Sequence, residues 1–118
     1  SNLFLCYKKC STCAKAKKFL NEHKIEFNYR EIYEENPTIE ELEKWIAMSG
    51  LPIKRFFNTS GIVYRENNLK DKLPKMTDKE AIALLSTDGR LVKRPLLITE
   101  NSVLVGFKED EYRKVFNL

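Results

Sequence analysis

Histidine is almost absent from this chain: His23 stands alone. A structural zinc wants four ligands, and the only candidates are Cys6, Cys10, Cys13 and His23. With a continuous helix after Cys10, His23 lies ten residues from Cys13, about 15 Å along the axis at 1.5 Å per residue. The two cannot share an ion, so no metal and no other bound cofactor is expected. Long apolar runs are also missing. None approaches the roughly 18 residues a membrane helix needs, and no secretory signal opens the chain. Nor is there a block of one charge. Lys and Arg total 21 against 17 Asp and Glu, a net charge of +4, and the signs are mixed, as in Glu40, Glu41, Glu43 and Lys44. No basic stripe marks a nucleic-acid footprint, so neither membrane nor direct nucleic acid is an expected partner. No linker, repeat or low-complexity tract interrupts the chain.

What is present fits one domain over residues 3–118. The 118 residues, 42% hydrophobic and 32% charged, suffice for a single core, and a monomer is expected. Ser1-Asn2, without an initiator Met, reads as a remnant of tag cleavage outside the fold. Three cysteines without an export signal predict a reducing, cytoplasmic setting. There a close cysteine pair is catalytic or metal-binding more often than a structural disulfide.

"LFLCY" (residues 3–7) reads as a buried strand. From Ser11 a helical stripe turns Cys13, Ala16, Phe19 and Leu20 inward and Lys15, Lys17 and Lys18 outward. "IEFNYREIY" (25–33) reads as a second strand with Phe27 and Tyr29 on one face, which makes a βαβ unit and predicts parallel pairing. Thr38 with Glu41 is a capping box, opening a helix through Ile39, Leu42, Trp45 and Ile46 to a stop at Gly50. "LPIKRFFNTSG" reads as a short helix and a polar turn. Thr77 with Glu80 is a second capping box, opening a helix with Ala81, Leu84 and Leu85 that stops near Gly89. After Arg94-Pro95, "LLIT" and "VLVG" read as a hairpin on the three-residue turn Glu100-Asn101-Ser102. An amphipathic helix with Tyr112, Val115 and Phe116 closes the chain. Trp45, Phe56 and Phe57 read as core.

The chemistry centres on "KKCSTC". Cys10 falls near the N-cap of the first helix and Cys13 one turn inside, so the two share a face. Free backbone N–H groups and the positive helix end converge on Cys10. Lys8 and Lys9 add positive charge, and together these favour the thiolate form there. Cys13 is then placed to attack a mixed disulfide at Cys10. Cys6, inside the first strand, reads as a small buried hydrophobe. His23 reads as a solvent-side residue in the last helical turn.

Over residues 3–117 the sequence resembles the arsenate reductase/Spx (ArsC-like) branch of the thioredoxin superfamily. The resemblance rests on "CSTCAKAKKFLNEHKIEF", "FFNTSGIVYRE", "KRPLLI" and "VGFKEDEY", in the family's order and spacing. It looks nearer to the small bacterial members than to dedicated arsenate reductases. The resemblance implies an α/β thioredoxin-like fold (β-α-β, helical insertion at about 36–90, β-β-α) with a four-stranded mixed sheet and a cis-proline at Pro95. It implies an oxidoreductase with Cys10 as nucleophile, Cys13 as resolving thiol and Arg94 as the anion-facing arginine, supported by Lys9, Ser11, Thr12, Asn58 and Pro95. Glutathione, or a thioredoxin or glutaredoxin, would be the electron donor, and an oxyanion or a disulfide the substrate. Asn58 stands in one region where arsenate reductases of this type carry a further arginine, and a second Arg–Pro step is missing near Gly106-Phe107. Spx-type regulators share the Cys-X-X-Cys and bind the RNA polymerase α subunit, which gives the alternative reading of a redox-sensing regulator.

Overall fold

The computed structural model describes residues 1–118. Four strands, β1 (Leu3–Cys6), β2 (Asn28–Glu31), β3 (Leu96–Ile98) and β4 (Val103–Val105), form one sheet in the order β2-β1-β3-β4. Helix α1 (Ser11–Glu22) joins β1 to its parallel neighbour β2, as the predicted βαβ unit requires. Strand β3 runs antiparallel to both β1 and β4.

The period of two along a strand divides the interior. Phe4 and Cys6 of β1 meet Ala16, Phe19 and Leu20 of α1, together with Tyr112 from the closing helix. Leu5 turns the other way, toward Ile32, Leu96 and Ile98 and the helices inserted between β2 and β3. Central strands buried on both faces read as continuous apolar runs, and LFLC and LLI do so.

The insertion comprises α2 (Ile39–Ser49), α3 (Ile62–Glu66), α4 (Leu69–Lys72) and α5 (Asp78–Leu85), with 3-10 turns at Ile53–Phe56, Leu73–Lys75 and Gly89–Leu91. Both capping boxes form: Thr38 with Glu41, and Thr77 with Glu80, each exchange two hydrogen bonds of 2.9–3.1 Å. Gly50 follows α2 at φ 66°, a left-handed conformation that glycine adopts without Cβ strain. Trp45, Phe56 and Phe57 are buried as expected. The chain closes with α6 (Glu109–Val115). No helix is long and apolar enough to cross a membrane.

Three expectations are corrected. Strand β2 has four residues rather than nine, because its only partner, β1, ends at Cys6 opposite Glu31. Being an edge strand, it also leaves Tyr29 43% exposed. Helix α5 stops at Leu85, since the hydroxyls of Ser86 and Thr87 donate to the carbonyls of Ala83 and Leu84. Gly89 answers a different need: a Cβ there would collide with the carbonyl oxygen of Ile32. The β3–β4 connection has four residues, because Ile98 pairs with Val103 and the Thr99 hydroxyl accepts the N–H groups of Asn101 and Ser102.

Candidate functional site

Cys10 is the N-cap of α1, with extended backbone (φ −89°, ψ 122°). Its N–H donates to the Tyr7 carbonyl at 3.0 Å, and its own carbonyl accepts from Ala14 at 3.1 Å. No acidic side chain sits in the first turn, so the positive helix end is not neutralised beside this thiol. Lys8 and Lys9 are exposed, Ser11 is exposed and Thr12 half-buried. Cys13, one turn on, is 4% exposed, and all three cysteines are free thiols.

Cys13 has two sulfur neighbours. Cys6 shares the α1-side core with it, and Cys10 stands three residues before it at the helix start. The neighbouring Cys6 thiol is the main reason Cys13 is held down to about 7; the Tyr7 backbone, the Cys10 thiol and the Arg94 charge add to it, against the effect of burial. Cys6 is pushed far up by the neighbouring Cys13 thiol, by burial and by the charges of Cys13, Cys10 and Glu31. The sequence reading gathered the thiolate-favouring forces on Cys10, whereas the surroundings in the structure lower Cys13.

Arg94 is half-buried and precedes Pro95 across a cis peptide bond. Its guanidinium lies 5.5 Å from the Tyr7 ring and 5.3 Å from the Tyr33 ring, and the two rings stack at 4.2 Å. Nε and Nη1 are buried without a hydrogen-bond partner. Buried donors in native proteins are nearly always paired, which makes these two exceptions. Pro95 is buried, and its carbonyl accepts from Gly106 at 2.8 Å.

Asn58 bonds to the turn at 89–91. Its backbone N–H donates to Leu91 at 2.7 Å and its amide to Arg90 at 3.5 Å; it ties its turn to the segment leading into Arg94. His23 is half-buried at the far end of α1, with Nδ1 2.9 Å from the Phe19 carbonyl. Sequence reasoning missed Tyr7, Tyr33 and the contact of Cys6 with Cys13. Tyr7 and Tyr33 lie just past the ends of two parallel strands paired at Cys6 and Glu31, a convergence that register reveals and residue type does not. Cys6 left a readable signal: it shares the period-two face of Phe4, and that face packs on the helix whose inward stripe begins at Cys13.

A four-stranded mixed sheet, with two thiols at the start of its first helix and an Arg–Pro step leading into β3, defines the thioredoxin-like class of α/β proteins. The sequence pattern of the ArsC family matches residues 5–115, and the chain belongs to that family. The chain is 51% identical over 111 residues to the uncharacterized protein YusI of Bacillus subtilis (strain 168), covering 94% of each. It is 34% identical over 106 residues to the global transcriptional regulator Spx of Enterococcus faecalis, covering 89% of this chain and 78% of that one. Among solved structures, an ArsC family related protein from Bacteroides fragilis superposes with a TM-score of 0.95 at 60% identity, covering 97% of this chain and 96% of that one.

Proposed function

We propose that the chain is a thiol-dependent reductase of arsenate-reductase type, with Cys10 as nucleophile, Cys13 as resolving thiol and Arg94 as the group that holds the anion. One observation carries this reading: a guanidinium with two buried, unpartnered N–H donors whose charge reaches Cys13. Preorganised donors of that kind are strongest where water is excluded. Cys10 is the more accessible sulfur, so the substrate meets it first. With an oxyanion, the Cys10 sulfur bonds to the central atom as an oxygen leaves as water. Cys13 then attacks the Cys10 sulfur, the new S–S bond forms, and the central atom departs with the electron pair. With a disulfide substrate, Cys10 forms a mixed disulfide that Cys13 resolves. Glutathione, a glutaredoxin or a thioredoxin then reduces the Cys10–Cys13 bond. Lys9, Ser11 and Thr12 border the attacking sulfur, and Asn58 and Pro95 set the segment that carries Arg94.

A second reading has its own support: the identity to a transcriptional regulator over most of the chain. In it the same thiol pair is a switch that governs binding to the RNA polymerase α subunit. Turnover of arsenate and of a small disulfide, measured with glutathione plus glutaredoxin and with thioredoxin as donors, separates the two. Cys10→Ser should abolish turnover, and Cys13→Ser should trap a mixed disulfide. No turnover with any donor, together with α-subunit binding that changes on oxidation, would replace the first reading by the second.

A further inference from the structure

Charge signs are mixed over the whole chain but not at its start. From Ser1 to Asn21 there is no Asp or Glu, while Lys8, Lys9, Lys15, Lys17 and Lys18 fall in that stretch. These five exceed the net charge of +4, so the entire positive excess lies on α1 and the turn that leads to Cys10. All five are exposed, and none takes part in an ion pair of the molecule. Helices α2, α5 and α6 are built the opposite way: Glu40 and Glu41, Asp78 and Glu80, and Glu109, Asp110 and Glu111 stand in their first turns. Cations beside a helix start oppose its dipole, and like charges three apart, as at Lys15 and Lys18, repel. The pattern costs α1 stability, so folding does not account for it.

Nor do the lysines converge as a pocket for one small anion would require. Lys15 and Lys17 leave α1 on nearly opposite flanks, about 200° apart at 3.6 residues per turn. Lys8 and Lys17 border a shallow cavity of about 230 Å³ with Tyr7, Ala14 and Tyr29. The Tyr29 ring is 43% exposed and lies 5.5 Å from the Lys17 ammonium. Exposed charges hold a single ion weakly, because water and salt screen each one. Their field adds up over a large partner and steers it, and Ala14 and Tyr29 supply apolar contact between the charges. We propose that the lysine-bearing face of α1 is the docking surface for the electron donor, a dithiol protein whose own thiols are rimmed by Asp and Glu. The proposal rests on the reductase reading, which makes Cys10–Cys13 the bond to be reduced. The docked donor's first thiolate attacks the Cys10 sulfur, and Cys13 leaves with the electron pair. The donor's second thiolate then attacks the mixed disulfide, and Cys10 leaves in turn. The donor ends as a disulfide, oxidised by two electrons, and its two thiol protons end on Cys13 and Cys10. A small thiol gains little from such a surface.

The test follows reduction of the full chain, oxidised beforehand with diamide. The reductants are a thioredoxin with an acidic rim, the same thioredoxin with those acids replaced by their amides, and uncharged dithiothreitol. Samples are acid-quenched and alkylated, and their mass counts the free thiols. The rate with the acidic donor should fall about tenfold as salt rises from about 0.01 to 0.15 M, where the screening length shrinks from about 30 to 8 Å. Lys15→Glu/Lys18→Glu should lower that rate about tenfold at low salt and leave the dithiothreitol and amide-donor rates unchanged. Lys70→Glu/Lys75→Glu makes the same change in net charge at exposed positions of the insertion and should match wild type. An acidic-donor rate indifferent to salt and to Lys15→Glu/Lys18→Glu overturns the surface and leaves the reductase reading standing. Equal losses in the two double variants also overturn it, because net charge alone then suffices. A short DNA duplex that binds wild type more tightly than the acidic donor, and does not bind Lys15→Glu/Lys18→Glu, gives the face to nucleic acid and overturns the proposal. If neither arsenate nor a disulfide substrate turns over, while reduction keeps its salt and lysine dependence, the surface stands and the reductase reading falls.

Discussion

Arg94 is fixed by two tyrosine faces and by no carboxylate, which decides what its donors are free to do. Ring-face contacts contribute about 0.5–2 kcal/mol and leave the N–H edge of the guanidinium unoccupied, where an ion pair would have consumed it. Lysine at this position keeps the charge but loses the planar fork. Arg94→Lys should therefore weaken oxyanion protection of Cys10 against alkylation about tenfold, a 1.4 kcal/mol effect, read as the shift in the arsenate or sulfate concentration giving half protection. Unchanged protection would remove the guanidinium from anion binding. Tyr112 poses the opposite case. Its ring packs edge-on against Phe19 and Phe107, but its hydroxyl is buried with no partner. Leaving a buried polar group unpaired costs roughly 1–3 kcal/mol. Tyr112→Phe should raise stability by about 1 kcal/mol, seen as a higher urea midpoint at unchanged slope; a lower midpoint would mean that the hydroxyl has a partner.

At the scale of elements, the α2 cap gives a local test. The Thr38 hydroxyl accepts from the Glu41 backbone at 3.1 Å, and an N-cap threonine replaced by alanine costs about 1 kcal/mol. Thr38→Ala should lower the urea midpoint accordingly, and Thr38→Ser should restore most of it. Caps of this kind were readable in the sequence because donor and acceptor lie three residues apart. The same holds for Gly50, where the stop and the left-handed backbone are one local fact. Features set by a distant partner were not readable. Nothing within "IEFNYREIY" says that β1 ends opposite Glu31, and nothing within "TDGR" says that Gly89 passes against Ile32. The candidate site divides along the same line. Cys10 and Cys13 were legible from spacing, and Arg94 from the family resemblance. The tyrosines that hold Arg94 depend on strand register, and the Cys6–Cys13 contact depends on which sheet face α1 covers.

At the scale of the molecule, one ion pair fastens the edge of the sheet to the insertion. Arg30 of β2 reaches both carboxylate oxygens of Glu41 in α2 at 2.7 and 2.8 Å, and also donates to the carbonyls of Glu35 and Asn36. Hydrogen bonding from Arg30 holds the Glu41 carboxyl below its ordinary 4.5, with Thr38 helping and burial opposing. A carboxyl lowered on folding stabilises fully above its unfolded value and loses that contribution as pH falls through the folded one. The difference in stability between wild type and Glu41→Gln, about 1–2 kcal/mol at neutral pH for charge-assisted bonds with partial exposure, should therefore shrink below pH 4.5 in urea titrations. A gap that stays constant with pH would mean that the pair adds nothing.

The two cores that the sheet separates also differ in optical character. The single tryptophan, Trp45, belongs to the insertion side, while the edge-to-face ring cluster of Phe19, Phe107 and Tyr112 lies on the α1 side. Indole fluorescence therefore reports on the insertion side alone, whereas near-ultraviolet ellipticity in the tyrosine band draws on both, through Tyr64, Tyr7 and Tyr33 on one side and Tyr112 on the other. Leu5 and Phe4 sit next to each other on β1 and serve opposite cores, so losing that strand dissolves both at once. The two signals should trace a single denaturation curve, as a two-state chain does. Fluorescence that changes ahead of ellipticity would mean that the inserted helices open while the thiol-bearing half is still folded.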